Sequence, residues 1–212
     1  MPIIWIVAFA ILIPFLIFVF FFQAATFSFA KLGVTPDIAV LLFTLSIIGS
    51  IINIPISKHK ILINNNQKPL TPFLFYYPPR VEEQIIAINV GGAVIPILFS
   101  LYLLQRAPII PVIISTLIVT AVAKTLAKPV PGVGISLPAF IPPLVAAAAA
   151  ILFAHGNAAP VAYISGVLGT LIGADLLNIP HLKELNSHAV SIGGAGVFDG
   201  IFLVGIVAAL IA

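Results

Sequence analysis

Apolar residues in this chain come in runs of about twenty, with little alternation inside each run and short polar or Pro/Gly stretches between them. A helix needs roughly 20 apolar residues to cross a bilayer. On that criterion spans are expected at 3–23, 36–57, 84–104, 108–125, 137–154, 160–178 and 192–211. "KHKILINNNQKPLTPFLFYYPPR" (58–80) is polar and rich in Asn and Pro, so it is read as the one long loop. "QRAP" and "KPVPGVG" are read as short turns, because Pro and Gly stop helices. Within 137–154, "LPAFIPPL" also admits a re-entrant reading. The pattern predicts an all-α polytopic membrane helix bundle of about seven spans, a single integral membrane domain over 1–212 with loop 58–83 cytoplasmic.

Composition supports the lipid reading. The 212 residues are 61% hydrophobic and 7% charged, against about 25% charged in soluble domains. The expected partner is therefore the lipid bilayer. The absence of cysteine excludes disulfides, thiol catalysis and thiolate metal sites. Lys and Arg are too sparse for a nucleic-acid surface. The first apolar run, "MPIIWIVAF" onward, extends well past a signal-peptide core and reads as a retained span.

Charge sets the expected orientation. Lys58, Lys60, Lys68, Arg80, Lys124, Lys128 and Lys183 fall on one side of the expected spans, and Lys31 and Arg106 on the other. Cytoplasmic loops carry the excess of Lys and Arg. A multi-pass protein of the cell membrane is expected, N-terminus cytoplasmic and C-terminus outside.

Two of the six acidic residues, Asp175 and Asp199, fall inside apolar runs. An ionised Asp in a bilayer costs at least about 2.5–3.5 kcal/mol on insertion scales, so it is kept for a reason. Both acids are expected one to two turns from the cytoplasmic boundary, on sequential antiparallel helices. Small residues every fourth position (Ser165, Gly169, Gly173) and the glycines 193, 196 and 200 would let those helices approach closely. Three roles stay open. Two nearby carboxylates share a proton and act as base and acid in hydrolysis. They could instead relay a proton or cation, or be neutralised by Lys124, the ion-pair candidate.

Other stretches add candidates. "GSIINIPISK" (49–58) and "ADLLNIPHLK" (174–183) align without a gap, Ser50 standing where Asp175 stands. A glycine pair follows each copy, in "NVGGAVIP" and "SIGGAGVFD". The match reads either as a parallel duplication, spans two and three echoing six and seven, or as chance in low-complexity sequence. "KPVPGVGISLPAFIPP" (128–143) should reach the depth of the acids, as a substrate-facing segment or an ordinary turn with a kinked helix. Substrate contacts are thus expected at Gly173, Gly196, Gly200, Pro138 and Pro142. His181, Glu184 and His188 would share a face if 180–188 were helical, but a solvated loop is the plainer reading; no metal and no cofactor is expected.

"GSIINIPI", "NVGGAVIP", "PVPGVGISLP", "GTLIGADLLNIP" and "SIGGAGVFDGIFLVGI" together resemble the membrane protein family called domain of unknown function 1614, over nearly the whole chain. That resemblance implies a fold family and no activity. A looser likeness of site layout links the two acids to intramembrane aspartyl proteases of the presenilin type. The departures are plain: Gly173-Ala174-Asp175 lacks the first glycine of that family's Gly-x-Gly-Asp, and Asp199 is followed by glycine instead of preceded by it. Phe140 replaces the leucine of its Pro-Ala-Leu motif. The leading expectation is intramembrane aspartyl hydrolysis of a membrane-embedded peptide by Asp175 and Asp199. A small-solute or ion-coupled transporter, or a non-catalytic scaffold or accessory subunit, is the alternative.

Overall fold

The computed structural model describes residues 2–63, 80–130, 134–182, 189–194 and 200–212. Helix α1 (Pro2–Lys31) opens the chain. Its first five turns are apolar on every side and exposed: Trp5, Ile11 and Phe20 each stand more than 60% exposed. Among the described residues, its last turns bury Ala25, Ser28 and Phe29, and Leu32 just after the helix is buried too. Helix α2 (Pro36–Gly49) starts with a proline, whose missing N–H costs nothing in a first turn.

The sequence reading carries α2 on to 57 and opens the next span at 84. The structure corrects both. Strand β1 (Asn53–Ile63) pairs antiparallel with β2 (Arg80–Asn89), and β2 pairs parallel with β5 (Ala189–Ile192), in the order β1-β2-β5. Pro55 cannot donate to a ladder, and it sits on the edge strand beside a register shift between Pro55 and Ser57. Ile85–Asn89 reads as apolar because it is the central strand, with Ile86, Ala87 and Asn89 buried. The fold is therefore mostly helical with a three-stranded sheet, not all-α. The expected loop 58–83 forms the two arms of this hairpin where it is described.

A π-helical turn (Val90–Val94) leads from β2 into α3 (Ile95–Leu103). Helix α4 (Ile109–Leu126) follows, then a two-stranded hairpin of β3 (Lys128–Val130) and β4 (Gly134–Ser136). Helix α5 (Ile141–Ala154) ends at His155 and Gly156, both at positive φ, which turns the chain into α6 (Ala158–Thr170) within three residues. That helix continues through a π turn (Leu171–Asp175), a 3-10 turn (Leu176–Asn178) and the short α7 (Ile179–Leu182). Helix α8 (Gly200–Ile211) closes the chain.

Helix α6 is the axis of the bundle. Residues 161–167 are all buried, as expected of a helix apolar on every side and surrounded by others; its neighbours are α3, α4, α5 and α8. By length and composition, three helical stretches among the described residues can cross a membrane: Ala8–Lys31, Ile109–Leu126 and Ala158–His181. Pro36–Gly49, Val90–Leu103 and Ile141–Ala154 are shorter apolar helices. The chain is a membrane protein with three full-length candidate spans among these residues, where the sequence pattern suggested about seven.

The two ends of the bundle differ. At one, Lys31 Nζ donates to Leu210 O at 2.8 Å and Arg106 Nη1 to Gly33 O at 2.6 Å, around a pocket of about 540 Å³. At the other lie the sheet, the β3–β4 hairpin and the break in the 158–182 helix.

Candidate functional site

At the sheet end the 158–182 helix stops being regular, and the break has a traceable cause. A π turn frees backbone carbonyls from their usual i+4 donors, and a buried carbonyl needs a partner. Asn178 supplies it: Nδ2 donates to Ala174 O at 2.7 Å and to Gly173 O at 3.2 Å. Its Oδ1 accepts from Lys124 Nζ at 2.7 Å, and the same ammonium donates to Leu177 O at 2.7 Å. Lys124, the expected ion-pair partner of an aspartate, thus clamps α4 to the broken helix through a carbonyl and an amide.

Thr170, the last residue of α6, and Ala174 and Asp175 of the π turn line a cavity of about 190 Å³. Ile135 and Leu137 from the β4 end, Pro138, Ala139 and Pro142 at the start of α5, Gly194 after β5 and Val204 of α8 also line it among the described residues. Asp175 Oδ2 accepts from the Gly193 amide at 2.8 Å. Gly193 holds a φ of +87°, and a Cβ there would lie 2.6 Å from Ala93 Cβ, so the glycine makes this turn possible. The other oxygen of Asp175 has no partner among the described residues. Nor has Thr170 Oγ1, although Thr170 is only 3% exposed. Ser46, Ser100, Ser115, Thr116 and Tyr163 also carry buried hydroxyls without a partner among the described residues, and of these six Thr170 is the one that lines this cavity.

The structure brings together three of the residues singled out from sequence: Asp175, Pro138 and Pro142 line one cavity. Gly173, expected at the substrate, instead packs against α4. A Cβ there would overlap Thr120 O and lie 2.9 Å from Ala123 Cβ. Small size at this position serves helix contact. Asp199 and Gly196 lie outside the described residues, and Gly200 is described only as the first residue of α8. His181 falls in α7, while Glu184 and His188 also lie outside the described residues. Sequence reasoning missed Thr170, for which no signal exists in a run of apolar and small residues. It also missed Asn178, whose signal was available in the repeated Asn-Ile-Pro.

The two stretches that match in sequence can now be compared. In the first, Gly91 packs so tightly on the end of α2 that an added Cβ would overlap Ser46 O and Ser50 N. In the second, Asp175, aligned with Ser50, bonds Gly193, aligned with Gly91. Asn53 Oδ1 accepts from Ser191 Oγ at 2.6 Å and from Asn89 Nδ2 at 3.2 Å, joining the two stretches across the sheet. They differ locally: the first Asn-Ile-Pro begins a strand, the second lies in 3-10 and α-helical turns.

Residues 47–211 match the family model described as "Protein of unknown function (DUF1614)", well over half of the chain. The chain belongs to this family. The matched region holds the whole cavity and leaves out α1, so the site is part of what the family model covers. No curated protein and no solved structure matches the chain. The likeness in layout to intramembrane aspartyl proteases rests on Asp175 and Asp199 together, the second outside the described residues, and finds no support in these comparisons.

Proposed function

We propose that this protein is a membrane carrier for a small solute or ion, with Asp175 as the charged group that engages the cargo. One observation carries the reading. A carboxylate oxygen and a buried hydroxyl, both without partners among the described residues, face one cavity at a helix break. Ionisable residues at membrane depth mark substrate and ion pathways. Irregular backbone is tolerated there where it is buried in protein or lines a cavity, and carriers place their sites at such breaks between repeats. The pairing of Ser50 with Gly91 and of Asp175 with Gly193 supports a parallel duplication. At about 1.5 Å per residue, Thr170 lies roughly 18 Å along the helix from its start at Ala158, near mid-bilayer.

Size argues for a small cargo. The cavity, about 190 Å³, is below the roughly 300–1,000 Å³ of pockets for drug-sized ligands. It is close to the ~150 Å³ engineered cavity that accepts benzene. An extended peptide would need more room than this. Hydrolysis by Asp175 and Asp199 thus depends on a residue outside the described part. Orientation is proposed from charge: the sheet end, with Lys58, Arg80, Lys124 and Lys128, faces the cytoplasm, and Lys31 and Arg106 lie outside.

A carrier must open its site to both sides, and the cysteine-free chain makes this testable. Thr170→Cys, a near-isosteric change, is placed in right-side-out and inverted vesicles and treated with a membrane-impermeant maleimide. Labelling from both sides is expected. Labelling from one side only refutes the carrier. Combined with peptide cleavage that Asp175→Asn and Asp199→Asn each abolish, it would establish the hydrolase instead.

A further inference from the structure

We infer that the cargo of the Asp175 cavity is a small primary ammonium ion, an alkylamine of about five to eight heavy atoms. The inference rests on the carrier reading of the same cavity and names the chemistry it selects. The wall offers two kinds of surface. Its polar part is the carboxylate of Asp175 and the hydroxyl of Thr170, oxygens with no partner among the described residues. The remainder of the described wall is apolar: Ile135, Leu137, Pro138, Pro142, Ala174 and Val204.

That division selects among ligands. An anion is repelled by an ionised Asp175 that no cation balances among the described residues, where Lys124 is engaged with Leu177 O and Asn178 Oδ1. A hard metal ion requires about six oxygen ligands or more, and the described wall presents side-chain oxygens from only two residues. A neutral alcohol fits the apolar wall but gains only neutral hydrogen bonds. A primary ammonium has three N–H donors, as a lysine side chain has, and no acceptor. It can give one to Asp175 and one to Thr170 while its alkyl tail lies on the proline and aliphatic wall. Hydrogen bonds to charged groups are worth about 1.5–3 kcal/mol, against about 1 for neutral ones. The volume, compared with the ~150 Å³ that takes benzene's six carbons, sets the length of the tail.

The test uses the full-length protein in detergent with n-butylammonium chloride, butan-1-ol and sodium butyrate as probes at equal ionic strength. Binding is read by calorimetry and by thermal stabilisation. Saturable binding of butylammonium alone is expected, weakened roughly tenfold or more by Thr170→Val, in line with a lost charged hydrogen bond, and abolished by Asp175→Asn. Thr170→Val keeps shape and fold, so the test survives if Asp175→Asn fails to fold. Equal binding of butan-1-ol would show a merely apolar cavity and overturn the inference. So would stabilisation by sodium chloride matching that by butylammonium, or undiminished binding by Thr170→Val. If no probe binds while Thr170→Cys labels from both sides, the amine is overturned and the carrier stands.

Discussion

Replacing Gly173 by alanine isolates the contact that holds the broken helix against α4. The added Cβ would overlap Thr120 O, lie 2.9 Å from Ala123 Cβ and 3.1 Å from Lys124 N. Ordinary contact begins near 3.4 Å, so the helices must separate by at least half an ångström. Thr120 O and Lys124 N are backbone atoms, and no side-chain rotation can relieve them. A gap of 0.5–1 Å forfeits about a quarter to a half of each lost dispersion contact, and overpacking of this kind costs about 1–3 kcal/mol. Separation also stretches the two 2.7 Å bonds from Lys124 Nζ to Leu177 O and Asn178 Oδ1 toward the limit of hydrogen bonding. The total is about 2–4 kcal/mol. For a chain of this size that is a fall in unfolding temperature of roughly 5–15 °C, measured by thermal unfolding in detergent micelles. Gly166→Ala is the control. Its Cβ would meet Val204 Cγ1 at 3.1 Å and the methyls of Ala146 and Ala208 beyond it, and the valine can shift, so the loss should stay under about 1 kcal/mol. If Gly173→Ala costs no more than Gly166→Ala, the α4 contact does not bear on stability as argued.

Two further outcomes follow from the same geometry. Asn178→Ala leaves Gly173 O and Ala174 O without their side-chain donor and Lys124 without one acceptor. It should lower stability by about 2–4 kcal/mol, at 1–3 kcal/mol per unsatisfied buried group, while an unchanged unfolding midpoint would show that the π turn satisfies its own carbonyls. For orientation, Lys58→Cys should react with an impermeant maleimide from the cytoplasmic side and Arg106→Cys from the other; labelling of both from one side would refute the assignment of the two ends.

Much of this was legible in the sequence, for reasons that particular residues make plain. The stretches at 8–31, 109–126 and 158–181 are long and apolar, and length with hydropathy is the strongest signal a membrane chain carries. The approach of Asp175 to Pro138 and Pro142 was legible too, because a buried acid and a Pro/Gly-rich stretch were expected at the same depth. The strands were not. Ile85–Asn89 and Asn53–Ile56 are Ile-rich runs continuous with helical ones, and periodicity alone cannot separate a short buried strand from a helix turn. Pro55 beside a long polar segment was the usable hint. The π turn was not legible either, because it is set by Asn178 and Lys124 capturing the local carbonyls, a tertiary arrangement with no pattern of its own.

The two matching stretches close their junctions with the glycine pair in different ways. Where Ser50 ends α2, the backbone rests directly on Gly91, and even a Cβ on that glycine would overlap Ser46 O and Ser50 N. Where Asp175 ends its π turn, the same junction with Gly193 is bridged by a carboxylate at 2.8 Å. A carboxylate reaches further than a seryl backbone, so it holds the helix end away from the glycine turn. The space released is bounded by the start of α5 and by Val204 of α8. A spacer role for Asp175 beside its charge is a prediction that two variants separate. Asp175→Asn keeps the length of the side chain and removes the charge, whereas Asp175→Ser restores the short residue of the first copy and should let the junction close. Ligand binding lost in both variants, with Thr170→Cys labelling retained when combined with Asp175→Asn and lost when combined with Asp175→Ser, would separate the spacer from the charge. Labelling that survives equally in both combinations would refute the spacer role.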